Sequence, residues 1–236
     1  MAGSTFGKQF KITTWGESHG AGVGVVIDGC PAGLSLSSED IQLYLNRRKP
    51  GQSRFTTPRK EDDAVDILSG VFEGKTTGTP ISLVVYNRNQ KSKDYSEIAA
   101  CYRPGHADYT FDAKYGFRDY RGGGRSSGRE TIGRVAAGAV AAKILKELGI
   151  TLTAYTKSIG DISISTLDLA EIANNALYMP DADAAAKASA YLDTCMQEHD
   201  SSGGVIECII DGMPAGIGEP VFDLSLIHIS EPTRPY

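Results

Sequence analysis

Ile27-Asp28-Gly29-Cys30-Pro31-Ala32-Gly33-Leu34 recurs far along the chain as Ile210-Asp211-Gly212-Met213-Pro214-Ala215-Gly216-Ile217. An apolar run precedes each copy, Val23 to Ile27 in the first and Val205 to Ile210 in the second, and both runs read as strands. Asp-Gly then turns the chain. The separation is too long for a solenoid repeat, so the echo predicts a duplicated strand–turn unit. After the first copy the sequence predicts a helix. Ser37 or Ser38 serves as N-cap, and Glu39 and Asp40 lie in the first turn. Ile41, Leu43, Tyr44 and Leu45 give it an apolar face, and Pro50-Gly51 stops it. No such helix follows the second copy.

Working outward, Phe10 to Trp15, Val65 to Phe72, Pro80 to Tyr86 and Thr151 to Ile159 read as strands. Arg129 to Leu148 is Ala-rich and ended by Gly149, the clearest helix of the chain. Leu167 to Tyr178 and Ala184 to Glu198 are also predicted helices. Asn87 to Arg121 has poor periodicity, and a stretch that long without regular structure is usually functional or mobile.

The 236 residues are 41 % hydrophobic and 22 % charged, the composition of a globular protein. With 24 basic and 29 acidic side chains the net charge is −5, which argues against a nucleic-acid coat or a polybasic membrane anchor. No apolar run approaches 18 residues, so no membrane span is expected. The N-terminus lacks the charged and apolar regions of a signal peptide. Cys30, Cys101, Cys195 and Cys208 are widely spaced, without a Cys-x-x-Cys pair. That argues against a zinc site or any other metal centre built on cysteines, and against a disulfide scaffold; a reducing cytoplasm fits.

Four segments could carry chemistry. Gly16-Glu17-Ser18-His19-Gly20 matches the Gly-x-Ser-x-Gly of a hydrolase elbow, but that elbow needs a helix after the serine and Ala21 to Ile27 is strand-like. What survives is a histidine on a glycine-flanked turn, able to exchange protons near pH 7. Arg47 to Lys60 holds six basic residues in fourteen positions of an acidic protein, a pattern that suits a small anionic ligand or a solvated helix end. Arg103-Pro104-Gly105-His106-Ala107-Asp108-Tyr109 sets a second histidine between a cation and a carboxylate, or holds a structural histidine in a loop. Arg118 to Arg129 contains four arginines and the run Gly122-Gly123-Gly124-Arg125-Ser126-Ser127, and it leads into the clearest helix. Glycine backbone and hydroxyls at a helix start make an anion cradle. Neither a dinucleotide fingerprint nor a Walker loop has the right spacing here. Together these residues point to proton transfer beside a phosphorylated or polycarboxylated small molecule, for which a flavin is one suitable cofactor. An RNA-binding module would also use arginine tracts, but the acidic total and the missing aromatic–basic face weigh against it.

The same segments resemble the signatures of the chorismate synthase family. The matching residues are Gly16-Glu-Ser-His-Gly20, Arg103-Pro-Gly-His-Ala-Asp-Tyr-Thr110, Tyr120-Arg-Gly-Gly-Gly-Arg-Ser-Ser127 and Arg129-Glu-Thr131. The stretch from Asp62, Leu68 to Gly74, Thr77 to Pro80 and Pro214 to Asp223 also match, in order, from about Gly7 to Asp223. The resemblance implies an α+β fold, a β-α-β sandwich of duplicated halves, incomplete here at the C-terminus and commonly a homotetramer at full length. It implies a carbon–oxygen lyase of the shikimate pathway. That enzyme removes phosphate from 5-enolpyruvylshikimate 3-phosphate by 1,4-anti elimination to give chorismate. There is no net redox change, yet reduced FMN is required as a transient electron donor. His19 becomes the proton donor to the departing phosphate, and His106 lies on the flavin side. Arg125, Ser126 and Ser127 match the FMN-contacting part. Arg48 and Arg54 lie in the tract that meets the substrate anion or NADPH, the candidate reductant. Lack of a long insertion favours an external flavin reductase. The runner-up is another flavin- or phosphate-dependent lyase on the same scaffold.

Leu224 to Arg234 resembles the translation of a transposase adapter used in sequencing libraries. The expectation is therefore a partial enzyme domain over 1–223 and a non-native tail over 224–236, with His228 without function and the 236-residue piece itself inactive.

Overall fold

A computed structural model describes residues 3–56, 61–87, 98–121 and 123–218. The expected boundary at 223 and the tail beyond it lie outside the described residues, as do Arg59, Lys60 and Gly122.

Five strands form the first sheet, in the order β1 (Thr5–Phe6), β2 (Lys11–Gly16), β3 (Gly22–Asp28), β7 (Ile81–Tyr86), β4 (Val65–Ser69), all antiparallel. β5 (Val71–Phe72) and β6 (Lys75–Thr76) make a separate small hairpin. Two helices, α1 (Ser38–Arg48) and α3 (Thr131–Glu147), pack together on this sheet. α3 also reaches β8 (Thr151–Ile159), the centre of a second sheet ordered β10 (Gly204–Asp211), β8, β9 (Ile162–Ser163). α4 (Ala182–Gln197) packs against β9. The layering is sheet, helix, sheet, as the resemblance implied.

Local chemistry accounts for the helices. Ser37 Oγ accepts from Asp40 N while Asp40 Oδ2 accepts from Ser37 N, so two of the open donors at the α1 terminus are met. Asp40 also pairs with Lys143 and so ties α1 to α3. Ile41 and Leu45 are fully buried; truncating either to Ala removes roughly 2–5 kcal/mol of stability. α3 lies close to the sheet because its buried face is small: a β-carbon on Gly133 would fall 3.0 Å from Gly24 O and from Thr14 Cγ2. The main core joins these residues to Val25, Ile27, Ile81, Leu83, Ile132 and Val140.

The sequence echo is a repeat in space. Lys11 pairs with Asp28, and Thr151 pairs with Asp211. Gly29 and Gly212 both turn with φ near +80° (+85° and +80°), and a β-carbon on either would collide with a carbonyl oxygen, of Gln9 and of Gly149 respectively. Each carbonyl stands two residues ahead of the partner strand. In the first copy Ile27, Cys30 and Leu34 are buried; in the second Ile210, Met213 and Ile217 are exposed among the described residues.

Three expectations need correction. Leu167 to Tyr178 is not an α-helix; only a short 3-10 turn forms, at Leu169–Ala173. Asn175 ends it: Nδ2 donates to Glu171 O and Met179 O, and Oδ1 accepts from Leu177 N and Met179 N, so the side chain takes the bonds a helix would need. The strand read over Val65 to Phe72 breaks at Gly70, whose φ is +80°. The segment from 98 to 121, without clear periodicity, contains α2 (Asp108–Tyr115), ended by Gly116 at φ +71°.

Candidate active site

The two histidine segments meet on the glycine-rich loop. His19 lies on the turn between β2 and β3 and is buried. Its Nδ1 is 3.1 Å from Ser18 Oγ, and Ser18 N donates to Gly124 O at 3.4 Å. His106 comes from the turn before α2. Its Nδ1 lies 3.1 Å from Asp108 Oδ1 and 3.2 Å from an Arg103 guanidinium nitrogen. Its ring stands over Gly123, where a β-carbon would fall 2.6 Å from Cε1. Adjacent glycines thus meet one histidine turn each, Gly123 under the His106 ring and Gly124 through Ser18 N, and both have positive φ, +93° at Gly123 and +52° at Gly124.

Asp108 anchors the His106 turn. It is buried and accepts from Arg103 N, Nε and Nη2, with Arg118 Nη1 at 3.4 Å. The Arg103 hydrogen bonds hold its carboxyl well below the usual carboxylate range. Asp108 Oδ1 and the Arg103 guanidinium both stand at Nδ1 and orient the ring, and Nε2 lies on the Gly123 side. Asp119 is likewise lowered, first by Arg121 and in smaller part by the charge of His19.

The expected flavin residues are placed at the same loop. Arg125 donates to Thr14 Oγ1 at 2.8 Å, Thr14 O at 3.3 Å and Gly16 O at 3.2 Å, fastening the loop to the end of β2. Ser126 Oγ donates to Gly123 O at 2.7 Å. Ser127 Oγ accepts from Arg129 N and caps the 3-10 turn that leads into α3. Beside them opens a cavity of about 600 Å³, lined by Gly123, Gly124 and Arg125 together with Lys114, Arg118 and Arg134 and the rings of Phe111, Tyr115 and Phe117.

Arg48 and Arg54 part company. Arg48, at the end of α1, donates to Asp63 Oδ2 at 2.6 Å and to Thr131 Oγ1 at 3.2 Å, at the start of α3. Burial pulls its guanidinium down from the ordinary arginine range, against the attraction of Asp63. Arg54 reaches the other way and pairs with Asp193 of α4 at 2.5 Å, both ends exposed. Sequence reading missed Asp63, Asn87 and Glu61. Asp63 is fully buried at φ +46° and also faces Arg129 Nη1 at 3.3 Å, while Glu61 takes the same nitrogen at 2.7 Å. Arg129 Nη2 is buried without a hydrogen-bond partner among the described residues. Only the acidic cluster Glu61-Asp62-Asp63 after a basic tract hinted at this.

A sheet–helix–sheet sandwich with two histidine turns seated on one glycine loop defines a class of fold. It superposes on a crystal structure of a chorismate synthase with a TM-score of 0.70 at 31 % identity, over 88 % of this chain and 59 % of that one. The chain belongs to the chorismate synthase family, whose model matches residues 10–228. It is 71 % identical over 225 residues to the chorismate synthase of Agathobacter rectalis, covering 94 % of this chain and 61 % of that protein. It is 71 % identical to that of Lachnospira eligens and 58 % to that of Chloroflexus aurantiacus. The chain spans 61 to 62 % of the length of these three relatives.

Proposed function

We propose that the complete protein carrying this chain converts 5-enolpyruvylshikimate 3-phosphate to chorismate. A C–O bond to phosphate and a C–H bond break, a C=C bond forms, and phosphate and a proton leave without net redox change. The observation that carries this reading is the meeting of the His19 turn, through Ser18 N, and of the His106 ring on the adjacent Gly124 and Gly123, in a family fold.

His19 is the proton donor to the departing phosphate. Ser18 Oγ stands 3.1 Å from its Nδ1 and holds the ring on the turn. His106 serves the flavin side, oriented by Asp108. Arg48, beside the unmatched Nη2 of Arg129, meets a substrate anion; Arg54 is the outer contact, for the substrate anion or NADPH. A substrate with a phosphate and two carboxylates needs several such cations, and contacts that strengthen as phosphate leaves lower the barrier.

The cavity would take FMN: Lys114, Arg125 and Arg134 stand in its wall, among the carboxylates Glu17, Asp119 and Glu130, for a phosphate, the rings of Phe111, Tyr115 and Phe117 offer a face to a flat apolar body, and the volume is in the range of small-molecule sites. Arg125, Ser126 and Ser127 would hold it from the loop. When bound there, reduced FMN would supply transient electron density to the substrate. An external flavin reductase, with NADPH as reductant, a homotetrameric assembly and a cytoplasmic setting complete the reading. No helix among the described residues is long and apolar enough to cross a membrane.

The test supplies the complete gene product anaerobically with reduced FMN and 5-enolpyruvylshikimate 3-phosphate. Chorismate and phosphate are expected in equal amounts. Flavin binding without either product would refute the reading.

A further inference from the structure

Asn87 stands one residue past β7, the strand that pairs with both β3 and β4. Its backbone N–H donates to Ala21 O at 3.1 Å. Its Nδ2 donates to Glu17 O and to Gly20 O, each at 2.9 Å. Its Oδ1 accepts from Arg129 Nε at 3.2 Å. Glu17 and Gly20 are the two ends of the turn that carries Ser18 and His19, and Gly20 N closes the same turn on Glu17 O at 3.1 Å. One amide therefore grips both ends of the histidine turn and links it to a rigid strand and to the arginine that faces Glu61 and Asp63.

We propose that Asn87 is a positioning residue for His19. This rests on the proton-donor role assigned to His19 above. The turn lies where β2 and β3 end, and Ser18 N also reaches Gly124 O, at 3.4 Å. Without the Asn87 amide, Gly20 O loses its donor, Glu17 O keeps only Gly20 N–H, and the turn loses its side-chain tie to the end of β7. A proton donor displaced by about 1 Å from its acceptor loses on the order of a hundredfold in rate. An aspartate would keep the shape and the acceptor for Arg129, but it would set a carboxylate oxygen against two carbonyl oxygens.

The experiment uses the complete gene product and the variants Asn87→Ala, Asn87→Asp, His19→Ala and Asn87→Ala/His19→Ala. Asn87→Ala is expected to lower kcat by roughly 10- to 100-fold while KM for the substrate changes by less than about threefold. Adding it to His19→Ala is expected to lower kcat no further, because Asn87 acts through that ring. A further drop in the double variant, a KM effect alone, or His19→Ala at wild-type rate would overturn the proposal. Asn87→Asp is expected to be as slow as Asn87→Ala, and it carries the test if the alanine variant does not fold; wild-type kcat in it would overturn the proposal. Imidazole NMR without substrate gives a second readout: the His19 signals move in the Asn87 variants and those of His106 do not. Unmoved His19 signals would refute the positioning role. If the wild type makes no chorismate, the functional reading fails, and the NMR result still decides Asn87.

Discussion

The ring of His106 lies so close over Gly123 that a β-carbon on that glycine would stand 2.6 Å from Cε1 and 2.8 Å from Nε2. The glycine is needed twice, for this approach and for its φ of +93°. Gly123→Ala should cost about 1–3 kcal/mol from backbone strain alone. It should also push His106 off Asp108, lowering turnover of the complete gene product by roughly a hundredfold. Urea unfolding and a steady-state assay check both, and an alanine variant with wild-type kcat would remove the His106–loop contact from the account.

Asp63 should be the most sensitive single carboxylate for stability. It has no exposed side-chain surface and stands between Arg48 Nη1 at 2.6 Å and Arg129 Nη1 at 3.3 Å. Taking its charge away leaves two partly buried guanidiniums facing each other. Asp63→Asn should destabilise by roughly 3–5 kcal/mol in urea titration, whereas exposed acids such as Asp66 should change stability by less than about 0.5 kcal/mol.

Asp108 sets an acid limit on the His106 turn. Its folded-state pKa is depressed, chiefly by the Arg103 hydrogen bonds, below an unfolded value near 4. A depressed carboxylate stabilises fully above the unfolded pKa and loses that contribution as pH falls through the folded one. Wild-type stability should therefore fall below about pH 4, and Asp108→Asn should show a shallower acid limb and a lower plateau at neutral pH. Asp181, lowered by its backbone donors, keeps part of the slope in both proteins. Thermal unfolding across the acid range measures this; equal slopes would contradict it.

Much of this was legible in the residues. The strand–turn echo, the Ser37 cap, the Ala-rich helix and the two histidine motifs carry local signals: a period, a cap, a glycine turn. The parts that were not legible depend on groups far apart in the chain. Asn87 acts on carbonyls of Glu17 and Gly20, and Asp63 on Arg48 and Arg129, through contacts no spacing announces. Leu167 to Tyr178 has helix-compatible composition, yet four hydrogen bonds of Asn175 outbid the helix. α2 was hidden because it is short and weakly amphipathic, with Asp108 as its one buried residue.

Arg48 and Arg54 should separate in mutagenesis. Arg48→Ala breaks the contact with buried Asp63, so it should both destabilise by at least about 2 kcal/mol and raise KM for the anionic substrate. Arg54→Ala loses one exposed pair with Asp193, worth about 0.2–1 kcal/mol, so its effect should appear in KM alone. Melting temperatures beside KM values decide it; a large loss of stability in Arg54→Ala would contradict the separation.

The most direct test of the central claim compares anaerobic single turnovers of the complete wild-type protein with those of His19→Ala and His106→Ala, at saturating reduced FMN and 5-enolpyruvylshikimate 3-phosphate. If both histidine turns serve one site built on Gly123 and Gly124, chorismate forms in the wild type and its rate falls by roughly 10²–10⁴-fold in each variant, with flavin still bound. Wild-type rates in either variant, or no chorismate from a folded, flavin-bound wild type, would contradict it.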